Sequence, residues 1–97
     1  MDEIRELLAT GAAVEKLGAR GISIEEAQQL LDNRYAIVRN PHRAGGRAHA
    51  PARRLVIGET DGGRGLTLVI ERTRDPTTWL IVTAWAATTR ERKILGK

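Results

Sequence analysis

From Asn33 onward the chain stops reading as helix and becomes four short β-rich runs, residues 35–39, 55–60, 66–72 and 79–85, and this change of period constrains the fold most. Asp61-Gly62-Gly63 separates the second run from the third, and Arg74-Asp75-Pro76-Thr77 separates the third from the fourth. Both are turn compositions at hairpin lengths, so these three runs are expected to form an antiparallel meander. Leu55, Ile57, Leu68, Ile70, Leu80 and Val82 are its expected core residues. The link over residues 40–53 holds two Pro, two Gly and no large apolar side chain, and reads as a mobile surface loop.

The segment before Asn33 reads as helix. Asp2 is placed to cap a first helix whose apolar positions Ile4, Leu7 and Leu8 have helical spacing, ended by Gly11. A second helical stretch, residues 12–17, ends at Gly18 or Gly21. Ser23 and Glu26 have capping-box spacing, flanked by Ile22 and Ala27 as a hydrophobic staple, which predicts a helix over residues 24–32. Thr88 and Glu91 repeat that spacing and start a basic helix over residues 89–95, whose Ile94 and Leu95 are placed to dock on the sheet. The expected fold is a single α+β domain over residues 1–97: N-terminal helices, a four-stranded, mainly antiparallel sheet and a C-terminal helix, in the order ααββββα.

Composition narrows the function classes. The 97 residues contain no Phe and no Cys, so Leu, Ile, Val and Ala fill the core, and disulfides and thiolate zinc sites are excluded. No apolar run approaches the roughly 20 residues of a membrane helix, and the start lacks the pattern of a signal peptide. The cytoplasm is the expected compartment. Sixteen Lys and Arg against twelve Asp and Glu give a net charge of +4, a balance that attracts polyanions. The charge is segregated: Asp2, Glu3, Glu6, Glu15, Glu25, Glu26 and Asp32 precede position 33, whereas residues 39–54 hold five Arg, two His and no acid. There is no Walker loop, no Ser-His-Asp arrangement and no ligand clustering for a metal, so neither cofactor nor metal is expected.

Several motifs now stand in order along the chain. Arg20-Gly21-Ile22-Ser23-Ile24-Glu25-Glu26-Ala27 opens the helix, Arg54-Leu55-Val56-Ile57-Gly58 forms the second strand, and Gly63-Arg64-Gly65-Leu66-Thr67-Leu68-Val69 forms the third. Ile81-Val82-Thr83-Ala84-Trp85-Ala86-Ala87-Thr88 follows, and then Arg90-Glu91-Arg92. Over about residues 14–95 this succession resembles the BrnT-type toxins of bacterial type II toxin-antitoxin pairs, relatives of the RelE ribonuclease fold. The resemblance implies a metal-independent endoribonuclease that cleaves RNA through 2′-hydroxyl attack, with RNA and a cognate antitoxin as partners. Two positions depart from the family pattern: Trp85 stands where relatives carry the Arg of their "ISAR" strand, and Arg20 where they carry the His of "HGIS". Either this chain lacks that Arg function, or another Arg carries it, or the chain does not cleave RNA.

Such a reaction needs a base for the 2′-hydroxyl proton, a donor for the leaving oxygen and cations for the phosphate. His42 and His49 are the residue type whose unperturbed pKa suits proton transfer near neutrality, and Glu59 or Glu71 on the sheet is an alternative base. Arg54, with Arg64 across the hairpin, is the candidate phosphate clamp; the candidate catalytic set is therefore Arg54, Arg64, His42 and Glu71. Arg39, Arg43, Arg47 and Arg53 read as an electrostatic funnel, and Arg90, Arg92 and Lys93 as further RNA contacts. Trp79 and Trp85, six apart on one strand, are expected on one face, one of them in the core and Trp85 available for base stacking. The alternatives to a ribonuclease are a noncatalytic RNA- or ribosome-binding relative and an interaction module for an acidic antitoxin or regulator.

Overall fold

The structure, a computed structural model, describes residues 3–39 and 53–96. It is α+β: strand β1 (Glu6–Ala9), helix α1 (Gly11–Gly18), helix α2 (Ile24–Gln29) running into a 3-10 turn (Leu30–Asp32), strands β2 (Tyr35–Arg39), β3 (Arg53–Glu59), β4 (Gly65–Arg72) and β5 (Thr78–Ala86), and helix α3 (Thr89–Ile94). The strands form one five-stranded mixed sheet in the order β1-β5-β4-β3-β2. The expected antiparallel meander is β3-β4-β5, with β2 added antiparallel to β3. No helix among the described residues is long and apolar enough to cross a membrane.

The expected first helix is instead β1, which lies parallel to β5 with Leu7 beside Trp79. An isolated helix between positions 2 and 11 would be too short to sustain itself. The extended form gains a ladder along the free edge of β5, and the Arg5 and Glu6 N–H groups both donate to Thr77 O. It buries Leu7 while leaving Leu8 largely exposed. The sheet is consequently mixed and five-stranded, where four mainly antiparallel strands were expected.

The capping boxes form as spaced. Ser23 Oγ accepts from Glu26 N, Thr88 Oγ1 accepts from Glu91 N, and each glutamate reaches back to its cap N–H. One sheet face packs Leu7, Val56, Leu66, Leu68, Ile70, Trp79, Ile81 and Ala84 against Leu17, Ala27 and Leu30. Gly58 is required here, because a Cβ would lie 2.9 Å from both Leu30 Cγ and Tyr35 Cβ. The opposite face carries Leu55, Ile57, Thr67 and Val69, with α3 crossing over β3. There Leu95 docks as expected, but Ile94 remains half-exposed.

A bulge in β5 revises two further expectations. Val69 pairs with Thr83 while Ile70 pairs with Ile81, so Val82 is an extra residue. An extra residue shifts the alternation by one. Trp79 and Ile81 therefore face the main core, and Leu80 and Val82, expected in the core, are only half-buried. Beyond the bulge Ala84 returns to the core face, and Trp85 lies on the α3 side, opposite Trp79.

Candidate nucleic-acid interface

Two strand ends bring arginines together. Arg39 closes β2, Arg53 opens β3, and the register sets Arg39 directly opposite Arg54. Like charges facing each other across strands destabilise a sheet, so the pairing itself adds no stability. Arg54 is half-buried and its Nη1 donates to Arg53 O at 2.8 Å. Arg72, at the same end of β4, lies with its guanidinium 4.8 Å above the Trp79 ring, which is buried and donates its Nε1 hydrogen to Glu3 O. Arg53 was expected in the loop, but it is a strand residue, and alternation turns it to the opposite face from Arg54.

On that opposite face Arg53 Nε donates to Glu71 at 3.0 Å, across the β3-β4 ladder. The pair lies in a groove of about 220 Å³, walled by Thr10, Ala12, Ala13 and Lys16 of the β1-α1 segment and by Leu80, Ile81 and Val82 at the bulge. Both partners are about two-fifths exposed, so the ion pair adds little stability and is open to exchange. The groove thus joins one carboxylate to a planar, strand-mounted guanidinium and to a lysine on its other wall. A carboxylate can accept a hydroxyl proton and the cations can hold a phosphate.

The remaining candidates go elsewhere. Arg64 does not meet Arg54: it lies at the hairpin turn opposite Thr60, about six strand residues or roughly 20 Å away, where Nη1 donates to Gly21 O at 2.9 Å and pairs with Glu26. It ties the turn to the entry of α2, and the expected two-arginine clamp is not formed. The Ser23 N–H, chiefly, and Arg64 hold the Glu26 carboxyl below its ordinary range. Glu59 sits at that same hairpin end, opposite Gly65, leaving Glu71 as the carboxylate in the groove. Arg20 donates to Ala84 O at 2.9 Å, sealing β5 where β1 has ended. His42, His49, Arg43 and Arg47 lie outside the described residues.

Trp85 is half-buried beside α3, and its Nε1 donates to Glu91 at 3.1 Å. Thr67 Oγ1 and Thr88 N donate to the same carboxylate at 2.8 and 2.9 Å. Burial raises the Glu91 pKa, but the donors from Thr88, Thr67 and Trp85 outweigh it and hold the carboxyl below its ordinary range. Arg90, Arg92 and Lys93 are exposed on α3, with the Arg92 guanidinium lying against Gly65. Lys16 and Thr10 were missed in the sequence. Lys16 is a single exposed helix residue, and only the packing of α1 beside β5 brings it to the groove. No protein-family model matches this chain, and no curated protein matches it.

Proposed function

We propose that this chain is an RNA-cleaving toxin of the BrnT type, held in check by a cognate antitoxin, and that its active site is the groove of Arg53, Glu71 and Lys16. The observation that carries the reading is the Arg53–Glu71 pair at 3.0 Å in an open groove bounded by a lysine. Glu71 takes the proton of the 2′-hydroxyl, the 2′ oxygen bonds to phosphorus, and the P–O5′ bond breaks, the 5′ oxygen leaving with a proton from solvent. Arg53 grips the nonbridging oxygens with its planar fork while Lys16 adds charge from the facing wall. Arg39, Arg54 and Arg72 draw the RNA backbone to this end of the sheet.

Incubation of RNA with the purified protein in EDTA tests this. Cleavage is expected, with Glu71→Gln and Arg53→Lys each lowering the rate about a hundred- to a thousandfold while retaining RNA affinity. RNA that stays intact with the unmodified protein overturns the catalytic assignment. It would leave a noncatalytic RNA-binding relative, a second reading favoured by Trp85, which stands at the family's arginine position and is engaged with Glu91.

A further inference from the structure

The sheet ends in two unlike edges. At one, α2 packs on β1, and Gln28 Nε2 donates to Leu7 O at 2.8 Å. At the other, β2 is paired with β3 alone among the described residues, and no other backbone hydrogen bond reaches Tyr35–Arg39. An edge strand offers alternate N–H and C=O groups to a further strand, and proteins ordinarily protect it with charge, proline or a bulge. β2 has none of these before Arg39: it reads Tyr35-Ala36-Ile37-Val38 and pairs with β3 without a shift of register. All four side chains are half-buried. The main core is also unfinished here. Tyr35, Ile37 and Leu31, which lies in the turn leading into β2, pack against the buried cluster yet stay partly exposed.

We propose that β2 pairs antiparallel with β2 of a second copy, about a twofold axis at Ile37 normal to the sheet, giving a dimer with one continuous sheet. This register engages the whole of β2: Ile37 meets the partner's Ile37, Ala36 the partner's Val38, and Tyr35 the partner's Arg39. Charge selects it. Arg39 already faces Arg54 within the chain, and a parallel pairing would set a third arginine beside them, the partner's Arg39. The antiparallel register instead keeps the two Arg39 side chains apart and puts each beside a tyrosine ring. An axis normal to the sheet leaves the same face of both copies on the same side, so Tyr35 and Ile37 extend one core into the other. Because α2 engages the β1 edge, the assembly closes at two chains and does not propagate. A five-residue edge is a small interface, so the dimer forms only as concentration rises.

Light scattering after size exclusion, at rising concentration of the parent protein, reads the dimer directly. The mass is expected to climb from that of one chain toward that of two; a mass that stays at one chain throughout overturns the inference. Ala36→Lys with Val38→Lys sets lysine opposite lysine twice across the axis and should raise the dissociation constant at least about tenfold. Ala36→Lys with Val38→Glu burdens the fold equally but sets opposite charges face to face, and should dimerise as the parent does. The two variants behaving alike overturns the antiparallel register. Cysteine reports the same pairing without added charge, because the chain has no Cys of its own. Ile37→Cys is expected to form an interchain disulfide on mild oxidation, since directly opposite strand residues lie within bridging distance. Leu8→Cys, more exposed but on the edge that α2 engages, is not. Equal cross-linking of both, or none at Ile37→Cys, overturns pairing through β2. None of these measurements involves RNA, so their outcome is independent of the function proposed above.

Discussion

Glu91 is the residue on which α3 turns. The helix has six residues and none of them is buried, so its attachment depends on Leu95 just beyond it and on the donors that converge on this carboxylate. Thr67, wholly buried, has its hydroxyl satisfied only through Glu91 among the described residues. Thr67→Val is expected to cost about 1 kcal/mol, the scale of one lost hydrogen bond in a site that keeps its other donors, measured by urea unfolding. The Glu91 pKa is depressed in the folded state, so its stabilisation is present above the unfolded-state value near 4.5 and is lost as pH falls through the lower folded value. Glu91→Gln should therefore be less stable than the parent at neutral pH and show a flatter loss of stability below about pH 4.5. Parallel curves for the two proteins would show that Glu91 titrates alike in both states.

At the scale of elements, the capping boxes of α2 and α3 and the three-strand meander were legible because each depends on neighbours within a few residues: Ser23 with Glu26, Thr88 with Glu91, and turns rich in Gly, Asp and Pro. β1 was not, because Ile4, Leu7 and Leu8 fit helical spacing equally well and the competing partner, β5, lies some seventy residues away. The bulge at Val82 was hidden for the same reason, and it put Trp85 on the face opposite Trp79. The contact between β3 and the 3-10 turn is a further long-range demand, since Gly58 lets Leu30 and Tyr35 close over the strand. Gly58→Ala is expected to destabilise by roughly 1–3 kcal/mol, because Arg34 O at 3.1 Å is backbone and cannot swing aside. A melting temperature unchanged from the parent would mean that the turn relaxes freely.

For the whole molecule, the facing arginines Arg39 and Arg54 set the RNA binding proposed above against folding. Arg39 opposite Arg54 places two cations on neighbouring strands, and like charges directly opposite each other destabilise a sheet. Arg39→Thr is expected to raise stability by about 0.2–1 kcal/mol, thermal unfolding at low salt showing the largest gain, and to weaken RNA binding with a shallower salt dependence. Stability and RNA affinity falling together would assign Arg39 to the fold instead.

The candidate site was half legible. Arg53 and Glu71 were each singled out by residue type, but their pairing depends on a register that the hairpin sets across the turn at Asp61-Gly62-Gly63. Lys16 enters the groove only through the docking of α1 along β5, and Arg64 left the expected clamp because strand length separates it from Arg54 and Glu26 offers a nearer partner. By itself the sequence determined the α+β class, the caps, the meander and the segregation of charge, all of which follow from short-range propensity and composition. Tertiary structure alone decided the parallel edge strand, the face of each tryptophan and which cation meets which carboxylate, because each depends on backbone groups and side chains distant in sequence competing for the same neighbours in space.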